Sequence, residues 1–179
     1  MIREFCRVYP AAYQLSYIVR AAQEGIFNEA ATIKQTGRIF GAYFSTRRLV
    51  AFAPSNSRGV NDFIQTIRHE ILGHFGLNTF KPSEKKALIA VISETRNQPT
   101  LCELWSDVAM CYSHFPESFK AEEIFCLACE AVELNSTVDK IETQRIFHQV
   151  ILARLRPMEY DDLFAIAVAV AGGFKNRWS

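Results

Sequence analysis

The sequence predicts an α+β fold, mostly α, and three observations carry that expectation. Apolar residues recur at helical spacing over most of the chain. One short stretch, residues 37–54, instead gathers aromatic and β-branched residues on either side of a turn-like Ser45-Thr46-Arg47-Arg48. A 49% apolar content in 179 residues supplies enough side chains for one compact core. A small sheet packed on helices, within a single domain spanning 1–179, is the expected arrangement.

Residues 1–36 read as N-terminal helices. From Ala11 to about Lys34, Leu15, Ile18, Val19, Ala22, Ile26 and Phe27 fall on helical positions, Pro10 suits a helix start and Gly25 suits a break. Gly37 to Phe44 and Leu49 to Ala53 read as two strands of a hairpin, stopped by Pro54-Ser55-Asn56. Residues 60–134 hold the central helices. The first runs from Val60 to Phe75 on a stripe of Val60, Phe63, Ile64, Ile67, Ile71 and Phe75, with Gly76 as its stop and Ser57 or Asn61 as its cap. Further helices follow from Ser83, from Leu101 to Tyr112 and from Lys120 to Leu134. Residues 140–179 form a helical C-terminal part divided at Pro157.

Composition narrows the function. A net charge of +1 gives no reason to expect nucleic acid or an anionic membrane as a partner. The start of the chain carries charges where a signal peptide would have its apolar segment. The longest apolar run, Leu163 to Phe174, is too short to span a bilayer. Five cysteines, an odd set without a disulfide-scaffold spacing, suit a reducing cytoplasm. Oligomeric state is not readable from the sequence.

The chemistry-bearing stretch is Arg68-His69-Glu70-Ile71-Leu72-Gly73-His74-Phe75-Gly76. Two histidines and a glutamate on one helix can hold a zinc ion and a water upon it. The spacing here is H-E-x-x-x-H, one residue longer than H-E-x-x-H. On a regular helix, residues five apart differ by about 140° around the axis, so His69 and His74 would diverge. A one-residue π-bulge restores a common face, and such bulges favour functional sites. Gly73 offers cheap backbone freedom beside His74. Without a bulge, His74 would join the core stripe and His69 would be a surface residue. The chain would then be a metal-free helical interaction protein.

His69-Glu70-Ile71-Leu72-Gly73-His74 resembles the H-E-x-x-G-H motif of the dipeptidyl-peptidase III family, gluzincin-type zincin metallopeptidases. Ala121-Glu122-Glu123-Ile124-Phe125-Cys126-Leu127-Ala128-Cys129-Glu130 is similar to that family's E-E-C-R-A-E segment, and also to the E-F-F-A-E-A-F segment of anthrax lethal factor protease. Both put a third zinc ligand at Glu123. The combination also looks like the zincin domains of phage and plasmid polyvalent proteins, which implies a mobile genetic element. Leu127 stands where dipeptidyl-peptidase III has a further acidic residue. Cys102-Glu103-Leu104-Trp105-Ser106-Asp107 resembles the thermolysin-type N-E-x-x-S-D segment, which leaves Glu103 as a competing third ligand. Glu122 is a third option.

The resemblance implies a cytoplasmic zinc metallopeptidase of minimal zincin-like fold, with Zn2+ on His69, His74 and Glu123 and a peptide or protein substrate. Glu70 would be the general base toward metal-bound water. Tyr112, His114, His148 and Tyr160 are candidates to stabilise the oxyanion. Leu49 to Ala53 could pair with an extended peptide. The alternative is a zincin-fold metal-binding regulatory or interaction module with little or no turnover. A closed zinc site that also uses Cys126 and Cys129 is a further option.

Overall fold

A computed structural model describes residues 1–21 and 39–176. It is an α+β protein, mostly α, with one three-stranded sheet. Helix α1 (Ile2–Val8) leads through a 3-10 turn at Pro10–Gln14 into strand β1 (Ser16–Val19). Strands β2 (Gly41–Phe44) and β3 (Leu49–Phe52) follow, joined by a 3-10 turn at Ser45–Arg47. Arg48 closes that turn in the left-handed region, at φ 47°.

The sheet order is β1-β3-β2, with β1 parallel and β2 antiparallel to β3. Ser16 pairs with Leu49 and Val19 with Phe52 on one side of β3. Gly41 pairs with Phe52 and Phe44 with Leu49 on the other. Two expectations change here. Ser16 to Val19 form a strand rather than helix: a Ser-Tyr-Ile-Val run is as good for a strand as for a helix, and pairing with β3 decides it. The remaining expected N-terminal helical positions, from Ala22 to Lys34, lie outside the described residues. β3 is central, so Leu49 to Ala53 has no free edge for an added strand. Among the described strands, β2 is the one at the sheet edge beside the cleft.

Helix α2 (Val60–Arg68) runs without a break into a π-helical segment, His69–Phe75. Phe63, Ile67, Ile71, Leu72 and Phe75 face the core. Gly76 does not stop the helix by a left-handed turn, since its φ is −54°. It is there for packing: a Cβ would stand 2.7 Å from Val170 Cγ1. Helices α3 (Pro82–Glu94), α4 (Cys102–Cys111) and α5 (Glu117–Glu130) follow. Helix α6 (Lys140–Ile146) passes into a second π segment at Phe147–Leu152, and α7 (Tyr160–Lys175) ends the described chain.

The core lies where α5 meets the first π segment, α7 and α3. It includes Ile71, Leu72, Leu88, Ile92, Ile124, Phe125, Leu163 and Phe174, all buried. Among the described residues, no helix is long and apolar enough to cross a membrane.

Candidate metal centre

The π winding brings together what a regular helix would hold apart. The two imidazole rings are 5.1 Å apart between centroids, crossed at 70°. One extra residue per turn has absorbed the long spacing between His69 and His74. Helix α5 packs directly on this segment because small residues line the junction. A Cβ on Gly73 would stand 2.6 Å from Cys126 Sγ and 2.9 Å from its Cα. The role of Gly73 is therefore close approach between two backbones.

That approach delivers Glu123 to both histidines. His69 Nε2 lies 3.3 Å from one carboxylate oxygen of Glu123, and His74 Nε2 lies 3.4 Å from the other. Each Nδ1 has its own acceptor. His69 Nδ1 is 2.8 Å from Glu130 Oε1, and His74 Nδ1 is 3.1 Å from Glu122 Oε1. With each Nδ1 facing its own carboxylate, each Nε2 is directed at Glu123 and is the nitrogen left to bind a metal.

The donor set fits zinc. Ligand atoms about 2.0–2.1 Å from a zinc ion stand roughly 3.3–3.4 Å apart in a tetrahedron. Each Nε2 stands at a separation of that size from its own oxygen of Glu123. Glu123 is buried and its Oε2 has no hydrogen-bond partner, as is also true of Glu70 Oε2. Buried carboxylate oxygens without partners are uncommon, and both belong to this one cluster. Cys126 Sγ also lies within 4.8 Å of donor atoms on the two histidines. Glu123 faces each imidazole with one of its oxygens, and its carboxyl is held below its ordinary pKa. Burial and the surrounding carboxylates push the Cys126 thiol well above its own. Cys129 does not join the group.

The electrostatics separate the carboxylates. Burial pushes Glu123 up, but His69, His74 and the Tyr112 hydroxyl together hold it below the ordinary value. Glu122 behaves likewise, with His74 and Lys85 overcoming burial. Glu70 goes the other way: burial dominates and raises its pKa, despite both histidines and the N–H of Tyr43 on β2. Burial opposes charge on His69, yet Glu123 and Glu130 leave its pKa well above the usual range. β2 is pressed against this corner. A Cβ on Gly41 would stand 2.9 Å from Glu70 Cγ.

These groups line a cleft of about 710 Å³ between β2, the π segment, α4 and α5. The structure brings His69, Glu70, His74, Glu122 and Glu123 together there. Glu103 is exposed on α4 and does not line the cleft. Tyr112 does line it, with its hydroxyl among the groups that lower the pKa of Glu123. Among the oxyanion candidates, His114 and His148 are exposed and Tyr160 stacks on Phe164, all outside the cleft. Sequence patterns did not single out Glu130 or Lys85. Glu130 sits two helical turns beyond Glu123 on the same face, a spacing that could have flagged it.

Fold and site together define a mostly helical α+β chain with a histidine- and carboxylate-lined candidate metal centre. Across an alignment of 188 residues, it is 35% identical to DNA primase TraC of Escherichia coli. That alignment takes in 98% of this chain and 13% of that protein. No family model matches the chain, and no solved structure matches it.

The similarity to TraC corrects the functional expectations. It runs through nearly the whole chain, whereas the zincin resemblance rested on two short motifs. The relative is a DNA primase. The assignment to gluzincin-type metallopeptidases therefore falls. So do the hydrolase activity, the peptide or protein substrate and the zincin-fold regulatory module. The expectation of no nucleic acid falls with them. It rested on net charge, a whole-chain sum that says little about any one binding face.

Proposed function

We propose that this chain is a zinc-holding region of a DNA-primase-type protein, with DNA as its partner. The observation that carries the reading is the similarity to DNA primase TraC along 98% of the chain. The metal half is supported by the convergence of two Nε2 atoms on the two oxygens of Glu123. His69, His74 and Glu123 would hold the ion.

Imidazole with carboxylate suits Zn2+, whereas Mg2+ favours oxygen ligands in a near-octahedral shell. The cleft is accordingly a zinc centre within DNA-related machinery, distinct in donor chemistry from a magnesium centre for joining nucleotides. Bound there, zinc would supply Lewis acidity at an open coordination position. The chain's own residues do the rest. Glu122 and Glu130 orient the imidazoles, the Tyr112 hydroxyl favours the charged form of Glu123, and Glu70 can hold a proton at its unpartnered Oε2. Five free cysteines suit the reducing cytoplasm as the place of action.

Two measurements on the purified protein test the two halves. Metal analysis is expected to find about one zinc per chain, lost in His69→Ala. Fluorescence anisotropy with a single-stranded oligonucleotide is expected to show binding that weakens as salt rises. Failure to retain zinc at micromolar free metal rejects the metal centre. Absence of DNA binding at low salt rejects the partner.

A further inference from the structure

His74 is held by a closed ring of side chains. Its Nδ1 bonds Glu122 Oε1 at 3.1 Å. The other oxygen of Glu122 lies 3.1 Å from Lys85 Nζ. Lys85 Nζ also donates to Asn78 Oδ1 at 3.1 Å. Asn78 Nδ2 then donates to the backbone carbonyl of His74 at 3.0 Å. The ring starts at the imidazole of His74 and returns to the main chain of the same residue.

From this ring we infer that Lys85 and Asn78 are positioning residues for the metal centre, acting on His74 through Glu122. The inference rests on the zinc reading above and deepens it. Three features support it. Around the end of the π segment, backbone N–H groups serve several neighbouring carbonyls, Gly76 donating to Gly73, Asn78 to Phe75 and Thr79 to Gly76. The side chain of Asn78 serves the carbonyl of His74 and, through Lys85, ties the backbone of His74 to α3. Lys85 lies on α3, a helix that contributes no ligand, and fixes which oxygen of Glu122 remains for the imidazole. Charge-assisted bonds of this kind are short and directional, so the ring sets both the rotation of the imidazole and the nitrogen that bears its proton.

His69 has a simpler arrangement. Its Nδ1 meets Glu130, and Arg68 donates to the Glu130 carbonyl at 3.0 Å. The two histidines are thus held by different means, and it is His74 that depends on α3.

The test compares Lys85→Met, Lys85→Arg and Asn78→Ala with the unaltered protein. Zinc affinity is measured by competition with a chromogenic chelator, and the His74 tautomer in zinc-free protein by nitrogen-15 NMR. Lys85→Met is expected to weaken zinc binding about tenfold or more, within the range for loss of such outer interactions. Lys85→Arg is expected to recover most of that loss. In Lys85→Met the zinc-free imidazole is expected to lose its preference for the Nδ1–H form, a change that general loosening of α3 would not produce. Adding Glu122→Gln to Lys85→Met should cost little more than the larger single effect, because both act along one path. Unchanged affinity and tautomer in both Lys85→Met and Asn78→Ala would overturn the inference while leaving the zinc centre intact. If the unaltered protein takes up no zinc, the centre itself falls, and the proposed role of the ring with it.

Discussion

Gly73 and Cys126 meet backbone to backbone: a methyl group on the glycine would lie 2.9 Å from the Cα of the cysteine and 2.6 Å from its sulfur. Gly73→Ala is therefore expected to destabilise the fold by roughly 1–3 kcal/mol, the usual cost of overfilling a packed core. Adding Cys126→Ala removes the sulfur but leaves the clash with the facing main chain, so it should recover only part of the loss. Thermal unfolding of the three proteins checks this. A Gly73→Ala protein as stable as the original would mean that the two helices separate at no cost.

Zinc should stabilise the protein by binding only the folded state. At a free concentration a hundredfold above Kd, the gain is about 2.7 kcal/mol. The midpoint of unfolding is expected to rise with zinc in the original protein and to stay fixed in His74→Ala. Proton release gives a second readout. Glu123 and Glu130 overcome the burial of His69 and hold its pKa well above 6.5 in the metal-free protein. With the pKa raised, zinc has a proton to displace from that imidazole over a pH range that reaches above the ordinary 6.5. Its contribution to metal-free stability is present below pH 6.5 and is lost as pH rises through the raised folded value. Calorimetric titrations in buffers of different ionisation enthalpy should show net proton release, and a buffer-independent heat would count against this account.

Glu70 makes the opposite contribution. Burial raises its pKa above 4.5, so the folded state resists the charge that the unfolded chain accepts near neutrality. Glu70→Gln removes that penalty. The metal-free variant is expected to be more stable than the original at pH 7, with the advantage shrinking as pH falls through the folded pKa. Zinc content should be unchanged, because Glu70 is not among the ligands. Denaturant unfolding at pH 4 and pH 7 provides the comparison, and loss of zinc in the variant would move Glu70 into the ligand set.

Far from the cleft, Arg156 grips Asp162 with two bonds of 2.5 and 2.6 Å. Burial pushes the Asp162 carboxyl up, but Arg156 and the N–H of Glu159 pull it below the ordinary 3.8. The folded state therefore binds this proton less readily than the unfolded chain. The resulting stability is complete above about pH 4 and fades as pH falls through the lowered folded value. Arg156→Met should lower stability at neutral pH and reduce the acid-dependent loss contributed by this carboxylate. An acid transition identical in both proteins would assign the pH dependence to other groups.

The histidine pair stood out by its H-E-x-x-x-H spacing and Glu123 by the resemblance of its segment to short zincin motifs, and the structure brings all three to one cleft. The π winding was legible because one surplus residue between two converging side chains has to be absorbed somewhere. Other features depend on partners far along the chain. Ser16 to Val19 become a strand only through β3, more than a helix length away in sequence. Gly76 looks like a helix stop until Val170 is seen against it. β3 looks like a hairpin edge until β1 covers it. Function was the least legible part. Two short motifs pointed to peptidases, while the 35% identity to DNA primase TraC extends over 98% of the chain.

Both histidines stand on one helical segment, and Glu122, Glu123 and Glu130 all stand on the helix packed against it. The centre is thus assembled across a single interface. Any change that slides, tilts or parts these two helices alters the distances among ligand atoms at once, while the remaining core can stay in register. Metal affinity would then serve as a gauge of that interface, registering a displacement too small for bulk unfolding to reveal.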